Sequence, residues 1–102
     1  MVGAGSYLPE KILTNDDLAE FVDTDDAWIV QRTGIRQRHM VAEGELTSDM
    51  AVAAANKALA NAGLASADID VIIVATTTPD DTFPSTASTV QHKLGSYQSF
   101  AF

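Results

Sequence analysis

Cysteine is absent from this 102-residue sequence. Its absence excludes a disulfide framework, a thiolate metal site and a cysteine nucleophile anywhere within the chain. It is compatible with the cytoplasm without requiring it. Basic residues are scarce: six Lys and Arg stand against fourteen Asp and Glu, a formal net charge of −8. That balance argues against nucleic acid as the main partner. No apolar run is long enough to span a bilayer, and no signal-peptide pattern is present. Internal repeats and low-complexity segments are lacking too. With 46% hydrophobic and 20% charged residues, the composition is that of an ordinary globular domain with a modest core.

The charges that are present are unevenly placed. Six of the fourteen acids lie between Asp16 and Asp26. Arg32, Arg36 and Arg38, with His39 beside them, form a basic strip just downstream. Two readings fit it: reception of an anionic ligand, or pairing of the arginines with the upstream acids. His39 has no Cys, His or carboxylate at metal-ligand spacing, so it reads as structural, and no metal site is expected.

Read in order, residues 1–6 look like the end of a strand. Gly3-Ala4-Gly5 fails as a dinucleotide loop, because Leu8 occupies the third glycine position and Pro9 stands where a helix should run. An extended loop follows. Thr14 caps a helix in a capping-box arrangement with Asp17, and Leu18, Phe21 and Val22 give that helix an apolar side. Residues 35–41 read as extended, and Glu43-Gly44-Glu45 as a turn. Thr47 or Ser48 caps a helix to about Ala62, with Ala51, Ala55, Ala58, Leu59 and Ala62 on one face, small enough for another element to lie close. Gly63 then Leu64 is a helix stop. The continuous apolar run at 69–76 predicts a strand covered on both faces, and coming after a helix it predicts a parallel sheet. The loop at 76–81 is at the edge where open α/β sheets place their sites. A helix starts near Ser85, presents Ala87, Val90 and Leu94, and ends at Gly95. A further strand begins at Gln98, and a chain ending inside it reads as part of something longer.

The most informative stretch is Asp23-Thr24-Asp25-Asp26-Ala27-Trp28-Ile29-Val30-Gln31-Arg32-Thr33-Gly34-Ile35. It predicts a short helix, capped by Asp23 or Thr24, with acids at its positive end and Gly34 as a left-handed stop. Thr24, Trp28 and Arg32 follow at i, i+4 and i+8, one above another. An indole and a guanidinium one turn apart can hold a flat ring between them, and the arginine can also bind phosphate. The residues thus offer a platform for a nucleotide-like group. The competing reading, an indole packed into the core with Arg32 as a helix cap, is favoured by composition alone.

Several blocks together resemble the N-terminal part of 3-oxoacyl-[acyl-carrier-protein] synthase III, the initiating condensing enzyme of bacterial fatty-acid synthesis. They are Gly3-Ala4-Gly5-Ser6-Tyr7-Leu8-Pro9, Asn15-Asp16-Asp17-Leu18, the run from Asp26 to Arg38, Val74-Ala75-Thr76-Thr77-Thr78, and Phe83-Pro84-Ser85-Thr86-Ala87 through Val90-Gln91 and Leu94-Gly95. The resemblance is collinear over essentially the whole chain, and its Trp-Ile-x-x-Arg-Thr-Gly-Ile block is specific. Part of the first strand usual in the family is lacking.

The resemblance implies an α/β fold, the incomplete N-terminal half of a thiolase-type αβαβα architecture, with a mostly parallel sheet flanked by helices. Residues 1–102 would form a partial thiolase-like domain, and residues 14–34 a helical coenzyme A-binding excursion within it. It implies a cytoplasmic acyltransferase that condenses an acyl-coenzyme A with malonyl-acyl carrier protein, releasing CO2 and coenzyme A. The enzyme would be a homodimer without cofactor, the coenzyme A thioester being a substrate. The family's cysteine would fall a few residues beyond Phe102, and its histidine and asparagine lie in the second half. No catalytic residue is therefore expected in this chain, and the chain alone is expected to be inactive. The resemblance assigns Trp28 and Arg32 to the adenine of coenzyme A, Thr24 to a polar contact beside it, and Phe83 to a dimer-interface loop reaching the partner's acyl pocket. The competing reading of Phe83 is a hydrophobic residue preceding a helix. Two alternatives compete with this reading: a relative of the hydroxymethylglutaryl-coenzyme A synthase or polyketide type, and a nonenzymatic coenzyme A-binding or dimerising module.

Overall fold

The computed structural model describes residues Met1–Phe102 and divides them into two units. One is continuous, Leu8–Glu43; the other joins Met1–Tyr7 to Gly44–Phe102.

In the smaller unit, β1 (Lys11–Thr14) leads directly into α1 (Asn15–Ala19), then α2 (Asp26–Thr33) and β2 (Gln37–Met40). β1 and β2 pair antiparallel, with Lys11 opposite Met40 and Thr14 opposite Gln37. The extended character of 35–41 thus becomes β2, whereas β1 had no comparable local signal. Its partner lies more than twenty residues away, and its Ile12 remains 46% exposed. Thr14 caps α1 as expected. Its hydroxyl accepts the Asp17 amide, and Asp17 accepts the Thr14 amide. The bond from the Thr14 amide to the carboxylate favours its ionised form, the Thr14 side chain does so too, and Lys11 adds a favourable charge, so the Asp17 pKa is lowered. The helix ends at Ala19, short of Phe21 and Val22, which are exposed rather than packed along it. α2 ends at Gly34 with φ 73°, a left-handed stop that suits a residue without Cβ.

In the larger unit, α3 (Thr47–Ala62), β3 (Val71–Ile72), α4 (Thr86–Leu94) and β4 (Phe100–Ala101) follow in order. β3 and β4 are parallel, joined through α4, as the helix-then-strand pattern predicted. The sheet component is therefore shared between one parallel pair and one antiparallel pair, not mostly parallel. Ladder bonds from Phe100 to Asp70, Phe102 to Ile72 and Val74 to Phe102, each 2.9 Å between N and O, extend the parallel pairing beyond the two strands. Ile72, Ala87 and Val90 form the core, with Ala51, Ile69 and Leu94 packed on it. The expectation of cover on both faces is not met. Ile72 is 9% exposed but Ile73 is 76% exposed, so the apolar run packs on alternate residues only.

The small-residue face of α3 receives the N-terminal glycines. A Cβ on Gly5 would stand 2.4 Å from the Ala58 amide nitrogen and 2.6 Å from the Ala54 carbonyl oxygen. Residues 1–6 form no strand, and their glycines lie close against α3. Asn61 Nδ2 donates to the Ala4 carbonyl at 2.7 Å, holding the segment there. α3 is capped neither by Thr47 nor by Ser48. Leu46 holds the cap position, and Asp49 accepts its amide. The two predicted caps are used elsewhere: the Thr47 hydroxyl donates to the Thr78 carbonyl, and the Ser48 hydroxyl accepts from Lys93 Nζ. Gly63 and Leu64 close the helix on the Ala60 and Leu59 carbonyls, as expected. α4 begins at the Ser85 cap and ends at Gly95, again as expected.

Candidate functional site

α2 is where the site residues gather, and its start differs by two residues from the sequence expectation. The cap is Asp25, whose Oδ1 accepts the Trp28 amide at 2.7 Å; Asp23 and Thr24 lie before it. Thr24 therefore is not a helical neighbour of Trp28. It nevertheless comes beside the indole, because Asp23, Thr24, Asp25 and Trp28 line one groove of about 230 Å³. Thr24 Oγ1 is buried without a hydrogen-bond partner. A polar atom in that condition is costly unless something supplies a bond.

Trp28 is 53% exposed, so it is not the core anchor that composition favoured; Ile29, at 7%, serves that purpose. The Arg32 guanidinium carbon stands 5.2 Å from the centre of the indole ring. One helical turn brings the two together, as their spacing predicted. They meet in direct cation–π contact rather than as two separated jaws. A planar guest between them needs roughly 7–8 Å, two van der Waals layers. Arg32 makes no hydrogen bond or ion pair, so only that contact holds the exposed side chain in place.

The remaining basic strip divides. Arg38 Nη2 donates to Asn15 Oδ1 at 2.8 Å, and His39 Nδ1 donates to the Pro9 carbonyl at 2.5 Å, so both are structural. A carbonyl only accepts, which places the His39 proton on Nδ1. Pairing of the arginines with the upstream acids does not occur; Lys93 pairs with Asp49, 2.8 Å. No cluster of three potential metal ligands forms.

The loop at 76–81 opens on a second groove of about 340 Å³ at the C-terminal edge of the parallel pair, lined by Val74, Thr76, Asp81, Ser85 and Phe102 among others. Phe83, in the adjoining segment, is 86% exposed and packs on nothing in this chain.

Sequence reasoning missed Asn15 as more than part of a motif. It is 1% exposed in an otherwise open unit. Asn15 Nδ2 donates to Asp26 Oδ1 and to the Ile35 carbonyl, each at 2.8 Å. The available signal was an amide side chain just inside a helix start, where an aspartate or serine serves a local role equally well.

No family model matches the chain. Proteins named beta-ketoacyl-[acyl-carrier-protein] synthase III are similar over its whole length. That of Hyphomonas neptunium is 61% identical over 98% of this chain and 31% of its own length. That of Caulobacter vibrioides is 61% identical over 100% of this chain and 32% of its own. Among solved structures, 3-oxoacyl-[acyl-carrier-protein] synthase III from Aquifex aeolicus superposes with a TM-score of 0.93 at 48% identity, over 99% of this chain and 32% of that one. A priming beta-ketosynthase of a polyketide biosynthetic pathway gives 0.92 at 35% identity, over 99% and 30%. The chain therefore spans about a third of the length of the relatives it matches.

Proposed function

We propose, for a chain that belongs to the beta-ketoacyl-[acyl-carrier-protein] synthase III family, that its own contribution is to bind the nucleotide end of an acyl-coenzyme A. The observation that carries this reading is the exposed Trp28 indole beneath the Arg32 guanidinium, next to a groove holding the unpartnered Thr24 hydroxyl. Adenine would replace the guanidinium on the indole face, and Arg32 would move outward to cover the other face of the base or reach a phosphate. The exchange is feasible because Arg32 is held by a single exposed contact. Thr24 Oγ1 would supply a hydrogen bond at the edge.

The whole reaction is acyl-coenzyme A plus malonyl-acyl carrier protein to 3-oxoacyl-acyl carrier protein, coenzyme A and CO2. It needs a thiolate to accept the acyl group, since sulfur exchanges readily with a thioester. This chain has no cysteine. The acyl-cysteine, histidine and asparagine would therefore come from sequence beyond Phe102, which lines the groove beside Thr76. Phe83 would enter the acyl pocket of a second copy in a homodimer. The setting would be cytoplasmic, and no helix is long and apolar enough to cross a membrane. No cofactor is needed. The priming ketosynthase likeness, 35% identity, supports a second reading in which the same platform serves a polyketide pathway.

The test is titration of coenzyme A onto the chain, followed by the emission of Trp28, the only tryptophan. We expect saturable binding, and Trp28→Ala, checked by calorimetry, to weaken it by about 1–3 kcal/mol, the scale of base–aromatic stacking. An unchanged dissociation constant refutes the platform. Purified 1–102 should not condense acetyl-coenzyme A with malonyl-acyl carrier protein, and measurable turnover would overturn the absence of catalytic groups.

A further inference from the structure

Asn15 holds both ends of the helix that carries Trp28 and Arg32. We propose that it is the positioning residue of that site; the inference rests on the coenzyme A reading above. Its Nδ2 donates to Asp26, the first residue of α2, and to the Ile35 carbonyl, one residue past the Gly34 stop. Its Oδ1 accepts from Arg38 Nη2, and its backbone amide donates to the Arg36 carbonyl at 3.1 Å. The orientation of the amide follows from chemistry. A carboxylate and a carbonyl only accept and a guanidinium only donates, so the nitrogen must face Asp26 and Ile35. No other side chain of this size offers two donors and an acceptor at once.

The clamp matters because little else holds the helix in place. Ile29 is the only buried residue of α2, while Trp28 and Arg32 stand outside the packing. A single apolar contact leaves a two-turn helix free to roll about it. Two hydrogen bonds from one buried side chain, one to each end, remove that freedom. The direction of the indole then depends on a residue that never meets the ligand. Misplacements of about 1 Å at binding groups are known to matter a hundredfold.

The experiment uses the 102-residue chain and three variants: Asn15→Asp, Asp26→Asn and the double exchange. Asn15→Asp sets a carboxylate against Asp26 and the Ile35 carbonyl. The double variant restores a bond between positions 15 and 26 with donor and acceptor exchanged, and keeps the Arg38 contact. Readouts are the near-ultraviolet dichroism and acrylamide quenching of Trp28, and the dissociation constant for coenzyme A. We expect Asn15→Asp to raise quenching and weaken coenzyme A binding about tenfold or more. Asp26→Asn keeps an acceptor and should change either readout less than about threefold. The double variant restores the bond to the start of α2 but not the one to Ile35, so it should recover part of the Trp28 signal and affinity lost in Asn15→Asp. The proposal is overturned if Asn15→Asp leaves the Trp28 signal unchanged, or if the double exchange recovers none of it. If the original chain binds no coenzyme A but the Trp28 signal follows the exchange, the functional reading fails and the positioning role stands.

Discussion

The two units differ in whether an apolar cluster backs their buried polar groups. In Leu8–Glu43 a buried amide, Asn15, joins α1, α2 and β2 through four hydrogen bonds, and Ile29 is the sole buried apolar side chain of α2. In the larger unit Ile72, Ala87 and Val90 pack against α3, and two glycines lie on that helix at contact distance. Apolar packing is strong but tolerant of direction. Hydrogen bonds from a fully used amide fix direction while contributing little net stability, about 1 kcal/mol each. The unit carrying the exposed Trp28 and Arg32 has one buried amide at its centre, whereas the larger unit adds an apolar cluster to its own buried polar bonds, such as those of Ser96 and Ser99.

The sharpest way to break this contrast is Gly5→Ala. Its new methyl would meet backbone atoms of α3, the Ala58 nitrogen and Ala54 oxygen, which cannot rotate away. Overpacking of this kind costs about 1–3 kcal/mol and here should reach the upper end. Urea unfolding followed by far-ultraviolet dichroism measures it. If the contrast holds, the variant loses about 3 kcal/mol in the larger unit, while Trp28, in the other unit, keeps its quenching constant. A loss of under about 0.5 kcal/mol would show that the glycines are not in contact.

How much of this was legible in the sequence follows from the range of each interaction. Gly34, Gly63, Gly95 and the Thr14–Asp17 box act within four residues, and all appear where the sequence placed them. The Trp28–Arg32 neighbourhood is a single turn, also readable. Asn15 was not legible because its partners lie 11, 20 and 23 residues away. The Asp25 cap was missed since three consecutive candidates, Asp23, Thr24 and Asp25, satisfy the same local rule. α3 misled for a related reason: Thr47 and Ser48 look like caps, but Thr78 and Lys93, 31 and 45 residues on, engage their hydroxyls. The run at 69–76 gives no hint of which face is open, because alternate burial is imposed by α3 and α4 on one side only.

A smaller effect separates the units by pH. The Asp49 pKa is lowered, first by the hydrogen bond from Lys93 and then by the Leu46 amide; the Thr14 bonds lower that of Asp17 in the other unit. A carboxyl whose pKa is lower when folded adds stability above its ordinary value of 3.8. That contribution disappears as pH falls through the folded value. Unfolding measured from about pH 6 down to about pH 2 should therefore show a flattened acid limb for Asp49→Asn in the larger unit's dichroism. Asp17→Asn should flatten it only in the Trp28 signal. Identical curves for both variants in both probes would mean the units unfold as one and would remove the energetic basis of the comparison.

The smallest effect is the most telling about the open surface. Phe83 is 86% exposed, so Phe83→Ala should change stability by less than about 0.5 kcal/mol, as for surface positions without partners. An aromatic this exposed gains nothing for its own chain, and hydration of its ring is unfavourable. The acyl-pocket proposal would give that exposed ring a partner outside these residues. A destabilisation above about 1 kcal/mol would place the ring inside the larger unit's packing. It would then be a structural aromatic ahead of α4, with no reach left for a partner's pocket.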